Sequence, residues 1–227
     1  ADKLVGGYTE WVSLDGAGGF SVSLKWEGSQ FFMSEGTTGI SNVATKLQND
    51  YGIYALFQGS GTVAPSGGGA IFSLVTGGIS VYLDNHAGIL GAVTTFNDPV
   101  AGGGKGTNPY TTNNAGDDKL LATGKVISGT GTTTCINAAN CGSFGQTTTF
   151  ILTPVDGKAA FIQPDPFFNL SFQSGQFNGF ALTAGDTQLQ GSLDVWFNNA
   201  VPEPGSLALL GLGLAGLGLS LRRRKLA

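Results

Sequence analysis

The sequence feature that most constrains the fold is a strictly alternating run near the start of the chain. Between residues 20 and 27, apolar side chains alternate with polar ones: Phe20, Ser21, Val22, Ser23, Leu24, Lys25, Trp26 and Glu27. Successive side chains of a β-strand point to opposite faces of the sheet, so the four apolar residues share one face. The run therefore predicts a half-buried antiparallel strand.

Similar short runs recur as far as residue 200, separated by turns rich in Gly, Asn and Asp. The predicted strands cover residues 20–27, 53–58, 70–75, 79–83, 89–96, 120–127, 147–153, 158–163, 169–173, 177–183 and 187–197, and residues 10–14 and 30–33 are candidates for further pairing. Roughly ten to twelve strands with turn signals every 8–12 residues are typical of an antiparallel β-sandwich or jelly roll. Residues 41–50 are the one candidate helix before the C-terminal tail. Residues 97–119 form the longest irregular stretch, a length typical of functional or mobile loops.

The composition is typical of a single exported β domain and argues against a nucleic-acid partner. The 38 glycines and 15 phenylalanines are interleaved, which indicates short strands with tight turns and not disorder. Charged residues make up only 11%, and the net charge is −4. A nucleic-acid partner would require a basic face, so none is expected.

The two cysteines, Cys135 and Cys141, enclose five residues at a predicted hairpin tip. In an oxidising compartment they can pair, and closing so short a loop stabilises the fold by about 2 kcal/mol in the chain-entropy model. A disulfide is therefore predicted. A closed zinc site is not expected, because the chain has two Cys and a single His.

The C-terminal tail has three parts in a fixed order. Pro202, Glu203 and Pro204 come first and cannot continue a strand, because proline has no N–H to donate. The next 16 residues, 206–221, are uncharged and rich in Leu and Gly. As a helix they would be about 24 Å long, enough to span a thinned bilayer. A cationic stop cluster follows: Arg222, Arg223, Arg224 and Lys225.

Four consecutive cations favour the cytoplasmic side of a membrane, which places residues 1–200 outside. The tail resembles the PEP-CTERM sorting signal of Gram-negative bacteria, in the Pro-Glu-Pro motif, the apolar helix and the Arg cluster. The resemblance implies a transient encounter with the inner membrane and with an exosortase, a transpeptidase-like enzyme that removes the tail. It also implies a biofilm- or exopolysaccharide-producing source. The alternatives are an ordinary single-span anchor or a buried apolar helix.

An exported protein needs an N-terminal signal, and none is present before the first strand. The chain begins at Ala1, so we expect that a signal peptide has been removed. The predicted domains are an exported β-sandwich over residues 1–200 and a sorting tail over residues 201–227.

A weaker resemblance covers the segments 150–154, 169–180 and 191–195, which are similar to flocculation-associated PEP-CTERM proteins. It implies a role in holding cells to a secreted matrix. No catalytic or binding motif defines that group, and ordinary β-hairpins of a sandwich would look the same.

A search for catalytic constellations yields only weak candidates. The single histidine, His86, lies in a predicted turn, and no nucleophile elbow is present. Most aspartates flank Gly or Pro, where Asp is favoured for turn geometry. Loop oxygens of residues 113–118 could hold calcium, although a solvated loop is the preferred interpretation. No catalytic residue, metal or cofactor is therefore predicted, and Trp196 is a candidate glycan contact because its strand position points outward.

The leading hypothesis is a non-enzymatic surface or matrix protein that acts in adhesion or scaffolding with exopolysaccharide. A second hypothesis is a self-assembling filament subunit, because Gly211 with Ala215 and Gly216 with Ser220 offer small faces for helix contact. A third is a carbohydrate-binding or hydrolytic sandwich.

Overall fold

The computed structural model describes residues 1–85, 93–137, 140–155, 169–174 and 182–198, and their regular structure is almost entirely antiparallel β-strand. The strands are β1 Lys3–Leu14, β2 Gly19–Met33, β3 Thr38–Gly39, β4 Gly52–Ser66, β5 Gly69–Asp84, β6 Thr95–Asn97, β7 Thr111–Asn113, β8 Lys119–Asn137, β9 Asn140–Pro154, β10 Asn169–Ser174 and β11 Gly185–Asn198. A one-turn helix α1 covers Asn42–Thr45, and 3-10 turns cover Lys105–Thr107 and Ala115–Asp117.

Nine of the eleven described strands form one large sheet that closes on itself, and β6 and β7 pair separately. Its order is β1-β11-β10-β9-β8-β5-β4-β2-β3, and β1 also pairs with β2. The first strand is therefore paired on both sides, to β2 along one edge and to β11 along the other. Closing a sheet in this way removes the exposed edges that would otherwise pair with other chains.

The antiparallel all-β prediction is confirmed, but the strand order differs from that of the predicted jelly roll. A jelly roll carries strands between two sheets by long crossings, whereas most strands of this closed sheet pair with a strand next to them along the chain; β2 pairs with β4 past β3, and β5 pairs with β8 past β6 and β7. The structure shares one feature with a sandwich. Its single core is formed by inward-facing side chains from opposite sides of the closed sheet. The predicted C-terminal helix and the tail domain lie outside the described residues.

The core follows the period-two pattern. On β2 the inward row is Phe20, Val22, Leu24 and Trp26, each at most 9% exposed, as the alternation predicts. On β11 the predicted inner residues Leu189, Leu193 and Val195 are buried as well. Matching residues of β1 lie directly opposite both rows, for example Val12 opposite Val22. The pattern therefore specifies which side of each strand faces the core.

Trp26 joins three consecutive strands of the closed sheet. Its side chain is 1% exposed, and its Nε1 donates to the Leu193 carbonyl oxygen on β11 at 3.1 Å. The indole must cross β1 to get there, and it passes Gly6, where an added Cβ would lie only 2.5 Å from the ring. Gly6 is thus required for this close approach.

Two predicted connections are strands instead. The sequence Thr76-Gly77-Gly78 predicts a hairpin, but β5 runs straight through it. A Cβ at Gly77 would lie 2.8 Å from the Phe57 ring, so the glycine makes room for an aromatic side chain. The Gly/Thr-rich residues 128–134, expected to be a connection, belong to β8 and pair with β5 and β9.

The candidate helix over residues 41–50 is confirmed only for its first turn. Ser41 caps α1 by accepting from the Val43 backbone N–H at 3.2 Å. Lys46 then adopts a left-handed conformation with φ of 67°, which ends the helix.

Candidate functional site: a groove beside an anchored strap

The predicted irregular stretch is ordered as a strap, which we define as residues 94–118, lying over the outer face of β1, β2 and β4. Its strands β6 and β7 pair with each other. The strap contacts the sheet through the Lys105 ammonium, which lies 3.7 Å from the centroid of a Trp11 ring, and through Thr107, whose carbonyl accepts from Gln58. Tyr110 is only 4% exposed, and outward-facing Ser23 is 1% exposed. The strap therefore adds a second layer on one side of the closed sheet.

The middle of the strap, at Lys105 and Gly106, is fastened by a carboxylate of β11. Asp186 accepts from the Lys105 backbone N–H with both oxygens at 3.1 Å, and from the Ser13 hydroxyl at 2.5 Å. The same Ser13 oxygen accepts from the Gly106 N–H at 2.7 Å. Gly106 lies so close to β1 and β2 that a Cβ would meet the Ser21 carbonyl oxygen. These bonds tie the strap to the two strands that close the sheet.

We expect Asp186→Ala to loosen the strap without unfolding the domain. The variant loses three hydrogen bonds at an exposed position, a net cost of about 1–2 kcal/mol. Hydrogen exchange at the Lys105 and Gly106 amides should become faster, whereas exchange in β2 should be unchanged. Asp50→Ala, at an exposed turn away from the strap, is the control. Unchanged exchange at both strap amides would contradict the fastening role.

The two ends of the strap, Thr94 and Asp118, are fastened through two aspartates, Asp84 and Asp118. Asp118 accepts from the Tyr54 hydroxyl at 2.6 Å and from the Thr94 hydroxyl at 2.8 Å. Asp84, which is 4% exposed, accepts from the Thr94 backbone N–H at 3.0 Å. Burial, and next the hydrogen bond to Asp118, raises the pKa of the Tyr54 phenol, so that Tyr54 stays a neutral donor. The two carboxylates thus hold the strap.

Beside the strap, the outer face of β4, β5, β8 and β9 carries an open groove of about 690 Å³. Pro109 and Tyr110 of the strap form one wall. The floor presents outward side chains of the four strands: Leu56, Ser80, Tyr82, Thr123, Lys125 and Thr153. The Tyr82 ring stacks on Tyr54, with centroids 4.9 Å apart and an interplanar angle of 12°. This stack holds Tyr82 in a defined orientation at the groove.

The groove carries one positive charge and no acid. None of its lining residues is Asp or Glu, and Lys125 is exposed. Two salt bridges occur among the described residues, Lys3–Asp194 and Lys25–Glu27, and neither involves Lys125. The lining therefore includes one cation and no acid, in a chain whose net charge is −4. The sequence analysis missed it because its residues come from four strands and a loop, with no local motif.

Trp196, the candidate glycan contact, lies on the outer face of β11 but is partly covered. The Lys3 ammonium lies 4.9 Å from its ring centroid, and the turn at Gly36 packs on the ring. Its indole N–H is buried, without a hydrogen-bond partner among the described residues. The glycan contact at Trp196 stays a prediction. Two other aromatic residues, Tyr82 and Tyr110, line the groove.

The cysteine prediction is supported by the backbone register. Cys135 on β8 lies opposite Cys141 on β9, and the strands pair as far as Asn137 and Asn140. The hairpin tip is therefore where the sequence predicts it. The disulfide itself stays a prediction, which thiol alkylation of the unreduced protein would check.

The catalytic and metal candidates are mostly committed to structural bonds or lie outside the described residues. His86, Asp156 and Asp165 fall outside them. Asp84, Asp118 and Asp186 bind the strap, and Asp194 pairs with Lys3 at 3.1 Å. Within the described ranges, no group of three or more His, Cys, Asp or Glu side chains is placed to hold a metal ion.

Glu10 is an ionisable residue that the sequence analysis did not single out. It lies in the inward row of β1, between Leu24 of β2 and Leu189 of β11. The side chain is 4% exposed, and burial raises its pKa to about 8. Its position in the alternation of Leu4, Tyr8, Val12 and Leu14 is the signal that could have revealed it.

Comparison with known families identifies the tail. Residues 200–225 match the PEP-CTERM protein-sorting motif, which confirms the resemblance carried by Pro202, Glu203, Pro204 and the Arg cluster. The motif implies export, with a membrane-anchored precursor that an exosortase processes. No curated protein and no solved structure matches the chain. The similarity to flocculation-associated proteins is not confirmed and stays a prediction.

The motif residues lie beyond the part of the chain that the structure describes, as do Arg222, Arg223, Arg224 and Lys225. Among the described helices, none has the length and apolar character needed to cross a membrane. Self-assembly through the C-terminal helix likewise stays a prediction.

Proposed function

We propose that the chain is a non-enzymatic surface or extracellular-matrix protein of a biofilm- or floc-forming bacterium. In this proposal it acts in adhesion or matrix scaffolding by holding exopolysaccharide. The observation that carries the proposal is the sorting motif at residues 200–225, because it implies delivery to the outside of the cell. Exported matrix polysaccharide is the partner that such a protein meets there.

The described domain offers features that suit this role. A closed antiparallel sheet leaves few free edges, which suits a protein that works without the chaperones of the cytoplasm. The groove presents hydroxyls, tyrosine rings and one cation on a rigid floor. Rigid elements hold a binding surface with less loss of entropy on binding than loops do.

The non-enzymatic part of the proposal draws support from the carboxylates. Acid–base cleavage of a glycosidic bond needs two carboxyl groups facing a substrate. Of the described aspartates, Asp84 on β5 and Asp118 at the end of the strap share Thr94 as a partner and are committed to holding the strap. A carbohydrate-binding role is therefore favoured over a hydrolytic one.

The proposal is tested in the producing bacterium by deleting the gene and restoring either the full chain or a chain that lacks residues 201–227. The full chain should restore cohesion of cell aggregates and be recovered with the exopolysaccharide. The shortened chain should do neither, because it is not sorted. Extracted exopolysaccharide incubated with the protein should keep its chain length. Normal cohesion in the deletion strain, or depolymerisation by the pure protein, would refute the proposal.

A further inference from the structure

We infer that the groove between the strap and strands β4, β5, β8 and β9 binds an acidic polysaccharide, with Lys125 opposite a sugar carboxylate and Tyr82 beside a sugar ring. This inference rests on the proposed function and names its ligand class and site. The argument comes from the pairing of the floor strands, from the charge of the groove and from the side chains that it presents.

The floor strands have few backbone groups to offer a ligand. Strands β4, β5 and β8 are paired on both sides along the groove, and β9 is paired with β8 and, over Gln146–Ile151, with β10. Peptides that bind to sheets usually add a strand to a free edge. Three of the four floor strands offer no such edge, so recognition comes mainly from side chains. This argues against an extended peptide as the occupant.

The single cation of the groove favours a ligand with few negative charges along its length. Lys125 is exposed and free of the two described salt bridges, and no lining residue is acidic. Lys125 can therefore pair with a ligand carboxylate without first breaking one of these salt bridges. Nucleic acids would need several cations along the groove, because phosphate contacts dominate their affinity. A single lysine fits a polymer that carries one carboxylate on some of its rings.

The remaining side chains match sugar chemistry. Ser80, Thr123 and Thr153 offer hydroxyls that both donate and accept, as a sugar hydroxyl requires. Tyr82 is held by its stack on Tyr54 and offers an aromatic surface beside these hydroxyls. Small apolar ligands prefer enclosed pockets that bury most of their surface, whereas this groove is open and its lining combines apolar side chains with hydroxyls. Together these features fit a uronic-acid-containing chain.

The test measures binding of the full chain to a panel of polyuronates, polymannuronate, polygalacturonate and hyaluronate, each compared with its carboxyl-reduced neutral form. We expect at least one polyuronate to bind, with affinity that falls as salt is raised. Carboxyl reduction should weaken binding about tenfold, since a hydrogen bond to a charged group contributes about a factor of ten or more.

Three variants assign the site. Lys125→Ala should weaken polyuronate binding about tenfold, Lys125→Arg should retain most of it, and Lys119→Ala should leave it unchanged. Lys119 is an exposed lysine of the same strand that does not line the groove. Binding that is equal for the neutral polymers, insensitive to Lys125→Ala or absent for every polyuronate would overturn the inference. The proposed function would survive that result if the full chain still restored aggregate cohesion.

Discussion

The Glu10→Gln variant is expected to be more stable than the natural protein above pH 8, by up to about 5 kcal/mol, and equally stable near pH 4. Burial raises the pKa of Glu10 from 4.5 to about 8, and each pKa unit corresponds to about 1.4 kcal/mol. Glutamine keeps the shape of the protonated side chain and cannot ionise. The gain at high pH is therefore the cost of the buried charge that the variant avoids.

The sign of the pH dependence follows from where the proton is held. Between pH 4.5 and about 8 the folded protein holds the Glu10 proton, whereas the unfolded chain has released it. The folded state then binds more protons, so the free energy of unfolding falls as pH rises, by up to about 1.4 kcal/mol per pH unit. Below pH 4.5 the proton is bound in both states, and Glu10 has no effect on stability.

Urea unfolding from pH 4 to pH 9 measures this dependence in the natural protein and in two variants. Glu10→Gln should remove most of the fall in the free energy of unfolding above pH 5. Glu27→Gln, at an exposed position on the adjacent strand, should keep it. Among the described inward-facing residues, Glu10 is the one acid or base apart from the Tyr8 phenol. A natural protein whose stability is level between pH 5 and pH 8 would contradict the assignment.

The Trp26→Ala variant is expected to lose about 3–5 kcal/mol of stability, the usual cost of emptying a large buried aromatic site. Trp26 is 1% exposed and is the side chain that connects β2 across β1 to β11 through its bond to the Leu193 carbonyl. Its loss opens a cavity at the place where the sheet closes. The free energy of unfolding from urea titration measures the effect.

The exposed neighbour Glu27 provides the matched control for this variant too. Glu27→Ala removes only a surface ion pair with Lys25, which contributes at most about 1 kcal/mol. Hydrogen exchange adds a local test, because amides of β1 and β11 should lose protection more than those of β8 and β9. A Trp26→Ala variant as stable as Glu27→Ala would show that the indole does not support the closure.

Local patterns predicted the faces of strands well. The alternation of residues 20–27 and the inner row of Leu189, Leu193 and Val195 matched the core, because a side chain's face depends only on its place along the strand. Local patterns do not predict which strands lie side by side. Closure depends on pairs such as Lys3 with Trp196, far apart in sequence, and periodicity carries no information about which strand lies alongside.

The groove could not be predicted for a related reason. The strap is positioned by Asp186, which is 81 residues from Lys105, and by Ser13, which is 93 residues from Gly106. A run of glycines and asparagines reads as a mobile loop when those distant partners are unknown. The role of a glycine is equally hard to predict from local sequence. Gly77 has the pattern of a turn residue, but in the structure it makes room for the Phe57 ring. The tail was predictable because its three parts are contiguous and each acts through its own residues.

The central claim, that the closed-sheet domain is sorted to the outside and works there, is tested most directly by the intact mass of the protein recovered from the extracellular matrix. The account predicts a mass that ends near Pro202 or Pro204, without the apolar segment and the cluster from Arg222 to Lys225. Such a mass means that the exosortase has acted and that the domain is released. A matrix-bound protein that still ends at Ala227, or a chain found only inside the cell, would contradict it.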